Sequence, residues 1–386
     1  MIGQRRSRTL FLLVAAVPVA VLAGIALSLT PNPISTALAP VPTPTLVPSP
    51  TPVLAKPFYE AGIRLEADGQ LDEALSQYQQ AIAAEPNLPE SYIAIARIDT
   101  FRRAPAEGMK MARKAVELAP RSAEAHAALA VASDWNEDPD QAIAEARRAI
   151  DLDPKLPEGH AFLAEAYADK VKYADAEESA NRALSLGPAN VAAVRVRGYV
   201  FEVQGKYPEA AKQYAQAVEI APKLPYLHLL LGNVQKAMQQ LEVAIASYQR
   251  AASLDPKDPR GPSGLGSSYY FLESYDMAET SLKEAIRLDS SYAPAIGQLA
   301  LVYYTQKRNA DAIPYFQRAI ELEKSKAKLA SYRHALGWSF IGEKRFAEAK
   351  EQFNKALELD PKLDGAKEGL TTVNIALQQA TPGPTR

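Results

Sequence analysis

The chain has 386 residues, no cysteine and a formal net charge of −2. The missing cysteine excludes disulfides, thiolate metal sites and cysteine nucleophiles. The charge is uneven. Residues 1–57 hold Arg5, Arg6, Arg8 and Lys56 and no acid, so beyond them 39 basic residues face 45 acidic ones, which argues against a nucleic-acid partner because such a partner would need a basic face.

In chain order, residues 1–9 form a basic segment that leads into LFLLVAAVPVAVLAGIALSL, residues 10–29, a run of 20 residues without a charge. At about 1.5 Å per residue, a helix of this length spans the roughly 30 Å of a bilayer core. Pro18 sits mid-span, a position that membrane helices tolerate. No Lys or Arg follows until Lys56, so the positive-inside tendency places residues 1–9 in the cytoplasm and everything beyond residue 30 outside it. The expectation is a single-pass cell-membrane anchor, a transmembrane helix with the bulk of the protein extracytoplasmic. A cleaved signal with Ala37-Leu38-Ala39 as its small-residue cleavage site is the alternative, and would make the protein secreted.

Residues 30–57 contain nine prolines and the single charge of Lys56. Proline lacks the donor that helices and ladders need, so this Pro/Thr-rich stretch is expected to be an extended linker, reaching about 80 Å at most at roughly 3.1 Å per residue.

From residue 58 to residue 363 a period of 34 takes over. Prolines fall at 86, 120, 154, 188, 222 and 256, the next two steps land on Ser290 and Lys324, and Pro361 follows 37 residues later, so three residues are inserted near EKSKAKLA. Five residues before each mark stands alanine, from Ala81 to Ala356 in all nine units. Twelve before stands Ala or Gly, and twenty-four before stands Gly62, Ala96, Ala130, Ala164, Gly198, Gly232, Gly266, Ala300 or Gly337. Each unit fits two amphipathic helices. Small residues at fixed places let their backbones approach, and the closing proline ends the second helix. Pro105, Pro139 and Pro208 begin second helices, where a missing N–H costs nothing. One such unit cannot bury its own apolar face, so neighbours must stack. Residues 364–380, DGAKEGLTTVNIALQQA, place Ala366, Leu370, Val373 and Leu377 on one face, as a capping helix would, and residues 381–386 read as a disordered tail.

This pattern resembles the tetratricopeptide repeat (TPR) family in its period, its Gly/Ala column, its two small-residue columns and its closing proline. The unit from Leu88 to Pro120 departs from it, with Ala112 where most units place Tyr, Phe or Leu. The resemblance implies an all-α, right-handed α-solenoid of about nine helix-turn-helix units, in which first helices line a concave groove that holds a protein or peptide ligand. Carried over residue by residue, the partner-binding candidates on the concave face are Tyr59, Arg97, Glu165, Arg195, Tyr199, Asn233, Lys236, Arg260, Tyr270, Tyr304, His334 and Trp338, with Glu90, Glu124 and Glu158 in the N-terminal half. The family's carboxylate clamp is matched only in part, by Arg195 and Asn233.

Catalytic readings find little support. His126, His160 and His228 share one place in their units, where packing explains them better than metal ligation. GPSGLG, residues 261–266, lacks the following Lys-Ser/Thr and the preceding strand of a phosphate loop. The expectation is therefore a non-catalytic, membrane-anchored interaction scaffold without cofactor or metal. The alternative is a recognition subunit of a separately encoded cell-envelope enzyme or secretion assembly.

Overall fold

The structure is a computed structural model that describes residues 54–102 and 104–380; the span at 10–29, nearly all of the proline-rich stretch and the 381–386 tail lie outside the described residues. Among the described residues every element is a helix, and there are 19 of them. They run as nine antiparallel pairs: α1 (Ala55–Ala67) with α2 (Leu71–Ala84), α3 (Pro89–Phe101) with α4 (Pro105–Leu118), α5 (Ala123–Trp135) with α6 (Pro139–Leu152), α7 (Pro157–Asp169) with α8 (Tyr173–Leu186), and α9 (Val191–Val203) with α10 (Tyr207–Ile220). The array continues with α11 (Pro225–Ala237) and α12 (Leu241–Leu254), α13 (Arg260–Phe271) and α14 (Tyr275–Leu288), α15 (Ala293–Thr305) and α16 (Asn309–Leu322), and α17 (Lys326–Gly342) and α18 (Phe346–Leu359). A single helix, α19 (Asp364–Ala380), packs against α18 and α17. The first helix starts at Ala55 and takes Pro57 into its opening turn, where the ring does no harm. The three inserted residues lengthen α17 to 17 residues, about one extra turn at its start, without disturbing the next unit.

The small-residue columns sit where helices touch. The alanines five before each mark are 0–2% exposed in all nine units. The Gly/Ala column packs against the residue eight before the mark, and the two sizes are matched. Gly62, Gly198, Gly232 and Gly337 face Tyr78, Tyr214, Tyr248 and Phe353, whose ring atoms lie 2.5–2.9 Å from where a Cβ would be. Where the column holds Ala96, Ala130 or Ala164, the opposite place holds Ala112, Ala146 or Ala180, all fully buried. Ala300 against Phe316 is the one exception. Contact between neighbouring first helices is most extensive from α3 to α9, over the three Ala–Ala units, because short side chains let the backbones approach closely.

The turn between the two helices of a unit repeats one conformation. Gly69, Glu137, Val171, Gly205, Gln239, Glu273, Lys307 and Lys344 all have φ between 57° and 76°, and all occupy the same place in their units. The histidines repeat a second device. The ring Nε2 of His126, His160 and His228 lies 3.1, 3.0 and 2.9 Å from the carbonyl oxygens of Pro120, Pro154 and Pro222, and at the same place the Tyr92 hydroxyl donates to Pro86 O. Each ring thus meets the carbonyl of the proline just past the C-cap of the preceding second helix, a group in the turn that no helix hydrogen bond serves.

One feature of the array joins segments far apart in sequence. The end of α3 meets the start of α11 and the α12–α13 turn. The Phe101 ring stacks on Tyr226 at 4.3 Å and an interplanar angle of 10°, and its edge meets Trp135 at 5.1 Å. Arg102 donates to both carboxylate oxygens of Asp255 at 2.7 and 2.8 Å and to Asp72 at 2.6 Å. Lys257 reaches Asp72 at 2.5 Å, Lys223 reaches Asp68 at 2.7 Å, and Arg260 Nη2 donates to Phe101 O at 2.6 Å. The superhelix therefore closes on itself, with the first two units against the turns on either side of the sixth.

Candidate functional site: the concave face

Two of the cavities on the face formed by the first helices lie on either side of the closure. The N-terminal chamber has a volume of about 570 Å³ and is lined from α1, α3, α5, α7, α9 and α11. Its walls are mostly apolar, with Ile93, Ala127, Val131 and Phe162 among them, and Tyr226 closes it where Phe101 stacks. Tyr59 and Arg97 both line it. Tyr59 leans on Tyr78 with ring centres 5.8 Å apart. Arg97 forks onto both Glu66 oxygens at 2.7 and 2.8 Å while keeping 49% of its side chain open. Glu90, Glu124 and Glu158 stand in the first turns of α3, α5 and α7, where a carboxylate meets the positive end of the helix dipole, and all three line the chamber.

The second cavity, about 260 Å³, opens between α11, α13 and α15 and brings together Asn233, Lys236 and Arg260 with Trp135, Ser263, Ser267 and Gln298. Lys236 Nζ lies 3.2 Å from Ser267 Oγ and near the Tyr248 ring, and burial pulls the ammonium below its usual range. Asn233 accepts from the Tyr248 hydroxyl at 2.7 Å, which leaves its amide nitrogen for other contacts. Arg260 is committed on two sides, to Asp258 and to the Phe101 carbonyl.

Glu165 and Arg195, expected on the partner-facing surface, are instead almost fully buried. Arg195 Nη1 and Nη2 donate to the two Glu165 oxygens at 2.7 and 2.5 Å, and the two residues, Glu165 and Arg195, are 3% and 1% exposed. Trp135 Nε1 donates to Glu165 at 3.1 Å, and the guanidinium lies 5.2 Å from the Phe101 ring. Phe101 and Trp135, which meet at the closure, lie against this pair. Asp134 is buried beside this pair, and desolvation and the Glu165 charge push its carboxyl up to about 9. Its Oδ1 has no hydrogen-bond partner. Tyr199 donates to Asp169 and is half-buried.

In the C-terminal units the aromatic candidates divide. The Tyr270 hydroxyl is 3.2 Å from Thr305 Oγ1 on the next first helix, so this ring bridges neighbouring units at the surface. Tyr304 packs half-buried on Phe316 at 6.3 Å. Trp338 donates to His334 Nε2 at 3.0 Å, and both rings rest on Phe353. Burial lowers the His334 pKa. Tyr304, His334 and Trp338 thus contribute to packing between the helices of their own units as well as to the inner surface.

Phe101, Trp135, Tyr226, Ser263 and Ser267 are absent from the sequence-based list. A signal for two of them was present: Phe101 and Trp135 hold the same place at the ends of successive first helices, where other units put mainly small or polar residues. As for acid–base chemistry, His126 Nδ1 is 2.6 Å from Glu145, but its Nε2 already meets a backbone carbonyl, so this pair has no nitrogen left to take a substrate proton. Among the described residues no group of His, Asp and Glu could hold a metal ion, and no helix is long and apolar enough to cross a membrane.

Comparison with known proteins places this geometry. The sequence model described as Cilia and flagella-associated protein 70 C-terminal domain matches residues 163–382, more than half of the chain. No curated protein matches. Among solved structures, a chain of the APC/C hetero-tetramer Cut9-Hcn1 superposes with a TM-score of 0.67 at 16% identity, over 78% of this chain and 59% of that one. A thermophilic TPR protein in Thermus thermophilus, TTC0263, gives a TM-score of 0.40 at 22% identity over 48% of this chain and 100% of its own. A tetratricopeptide repeat protein from Parabacteroides merdae gives 0.48 at 18% identity over 66% and 99%. At these identities the likeness to solved structures is one of fold. By its repeat geometry and the match over residues 163–382, the chain belongs to the tetratricopeptide-repeat family represented by that C-terminal domain.

Proposed function

We propose that this chain is a non-catalytic scaffold that holds a protein or peptide partner on its concave face, tethered to a membrane by residues 10–29 with the repeats on the extracytoplasmic side. The observation that carries the binding reading is the second cavity. Lys236 stands there without a carboxylate partner among the described residues, beside Asn233 and two serines and near the Tyr248 ring, in a cavity that Trp135, Tyr226 and Tyr292 also line. Large aromatics around a few placed polar groups are the composition of energetic centres in interfaces. Crosslinking in native membranes, followed by identification of what co-purifies, tests it. The variant Lys236→Met/Tyr270→Ala should fold by circular dichroism and lose the partner that the wild type captures. Retention of every partner would remove the second cavity as the place where the partner is held.

The tether rests on the charge-free run after Arg5, Arg6 and Arg8. Protease added to cells with an opened outer layer should digest the repeats and leave an N-terminal fragment in the membrane. Protected repeats would reverse the topology, and full release of a trimmed protein would favour cleavage near Ala39.

A further inference from the structure

The N-terminal chamber differs in chemistry from the second cavity. One register position, the second residue of each first helix, runs Glu90, Glu124, Glu158, Ala192 and Tyr226 through the second to sixth units. All five residues line the chamber, so one wall carries three carboxylates in succession and then turns apolar and aromatic. Helix dipoles account for an acid at each of these places singly. They do not account for what lies behind the three acids, a half-open, mostly apolar space of about 570 Å³. Glu124 accepts from Ser122 Oγ at 2.8 Å and Glu158 from Asn190 at 2.7 Å, but among the described residues none of the three has a cation within ion-pair distance. The chamber's own cation, Arg97, is held by Glu66. Carboxylates without counter-ions at the edge of an apolar cavity favour a ligand that brings positive charge and apolar surface together.

We infer that the chamber is a docking site for a short peptide segment in which lysine or arginine flanks bulky apolar side chains: the apolar groups enter between Ile93, Val131 and Phe162, and the cations meet Glu90, Glu124 and Glu158. This rests on the reading of the concave face as a partner surface, and it assigns the class of segment one part of that face takes. The closure makes the site, because Tyr226 supplies its far wall only while Phe101 stacks there.

The test uses the purified full chain and three fluorescein-labelled twelve-residue peptides with the same leucines and phenylalanines, whose remaining positions are lysine, serine or glutamate. The lysine peptide should bind by anisotropy, with affinity that falls as salt rises, and the other two at least tenfold more weakly. Glu90→Gln/Glu124→Gln/Glu158→Gln should weaken lysine-peptide binding at least tenfold. Asp151→Asn/Glu178→Gln/Glu219→Gln, which removes as much charge from second helices outside the chamber, should change it less than twofold. Ala192→Phe fills the chamber and keeps every charge, and should also abolish binding. No binding of the lysine peptide, equal binding of the three peptides, equal loss in both charge variants, or full affinity in Ala192→Phe would each overturn the assignment. Lys236→Met/Tyr270→Ala should leave peptide binding unchanged, so a failure here is separable from a failure of the partner surface as a whole.

Discussion

Asp134 is the residue least at ease in this fold. It is 6% exposed, one of its oxygens has no partner, and it lies beside the buried Glu165–Arg195 pair. A carboxyl raised from 3.8 to about 9 keeps its proton in the folded chain where the unfolded chain has lost it. Its contribution to stability is therefore full below about pH 3.8, declines as pH rises and levels off above about 9. Asp134→Asn copies the neutral acid without the proton. It should be more stable than the wild type by at least about 1 kcal/mol at pH 8, with a smaller advantage at pH 5. Thermal melts of both proteins at the two pH values measure this, and an advantage independent of pH would mean Asp134 is ionised in the fold. His228 and His334, lowered by burial, slope the other way, since acid below their usual range charges the unfolded chain first, but both variants share that slope. Val171 is the β-branched residue among the six non-glycine residues at the left-handed turn position. It holds φ 60° at the turn where Gly69 and Gly205 stand, and it is 66% exposed. The left-handed region costs an L-residue about 1–2 kcal/mol, so Val171→Gly should stabilise by about 1 kcal/mol in denaturant titration. The same change at Val243, exposed on α12, should instead destabilise, by a few tenths of a kcal/mol.

At the scale of the helix, the pairing of sizes across each unit was legible in the sequence. Wherever the column twenty-four before the mark holds glycine, the place sixteen residues on holds Tyr, Leu or Phe, and Ala112, Ala146 and Ala180 fall opposite alanines. Ala112 looks like a departure from the family pattern taken alone, and becomes one half of a compensated pair once Ala96 is read with it. Gly232→Ala should thus destabilise by about 1–3 kcal/mol through crowding of Tyr248, although alanine is the better helix former. A double-mutant cycle with Tyr248→Ala should show a coupling of about 0.5–3 kcal/mol, and strict additivity would mean the two residues do not share one space. The helices themselves were equally legible. Period, small-residue columns and closing prolines are local signals, and the 18 paired helices follow them.

The closure was not legible. Its bonds join residues 153 to 185 positions apart, a separation at which a short period carries no information. The inner register of Glu165 and Arg195 points to a partner-facing pair, but the fold buries both, with Phe101 and Trp135 lying against them. The chain has no cysteine, so two introduced at exposed Glu73 and Glu219 would carry spin labels at unique places. Their distance distribution should be narrow in the parent and broad in Phe101→Ala/Arg102→Ala, which removes the stack and a largely buried ion pair. Lys223→Ala/Lys257→Ala should leave it narrow, because surface pairs contribute only about 0–1 kcal/mol. Which face of this closed array holds the partner is tested most directly by a photo-crosslinking side chain placed in turn at Asn233, on the concave face, and at Glu219, on an exposed side of the second helix α10. In native membranes the Asn233 probe should capture a discrete partner band that the Glu219 probe does not. Capture from Glu219 with none from Asn233 would contradict a partner held on the concave face.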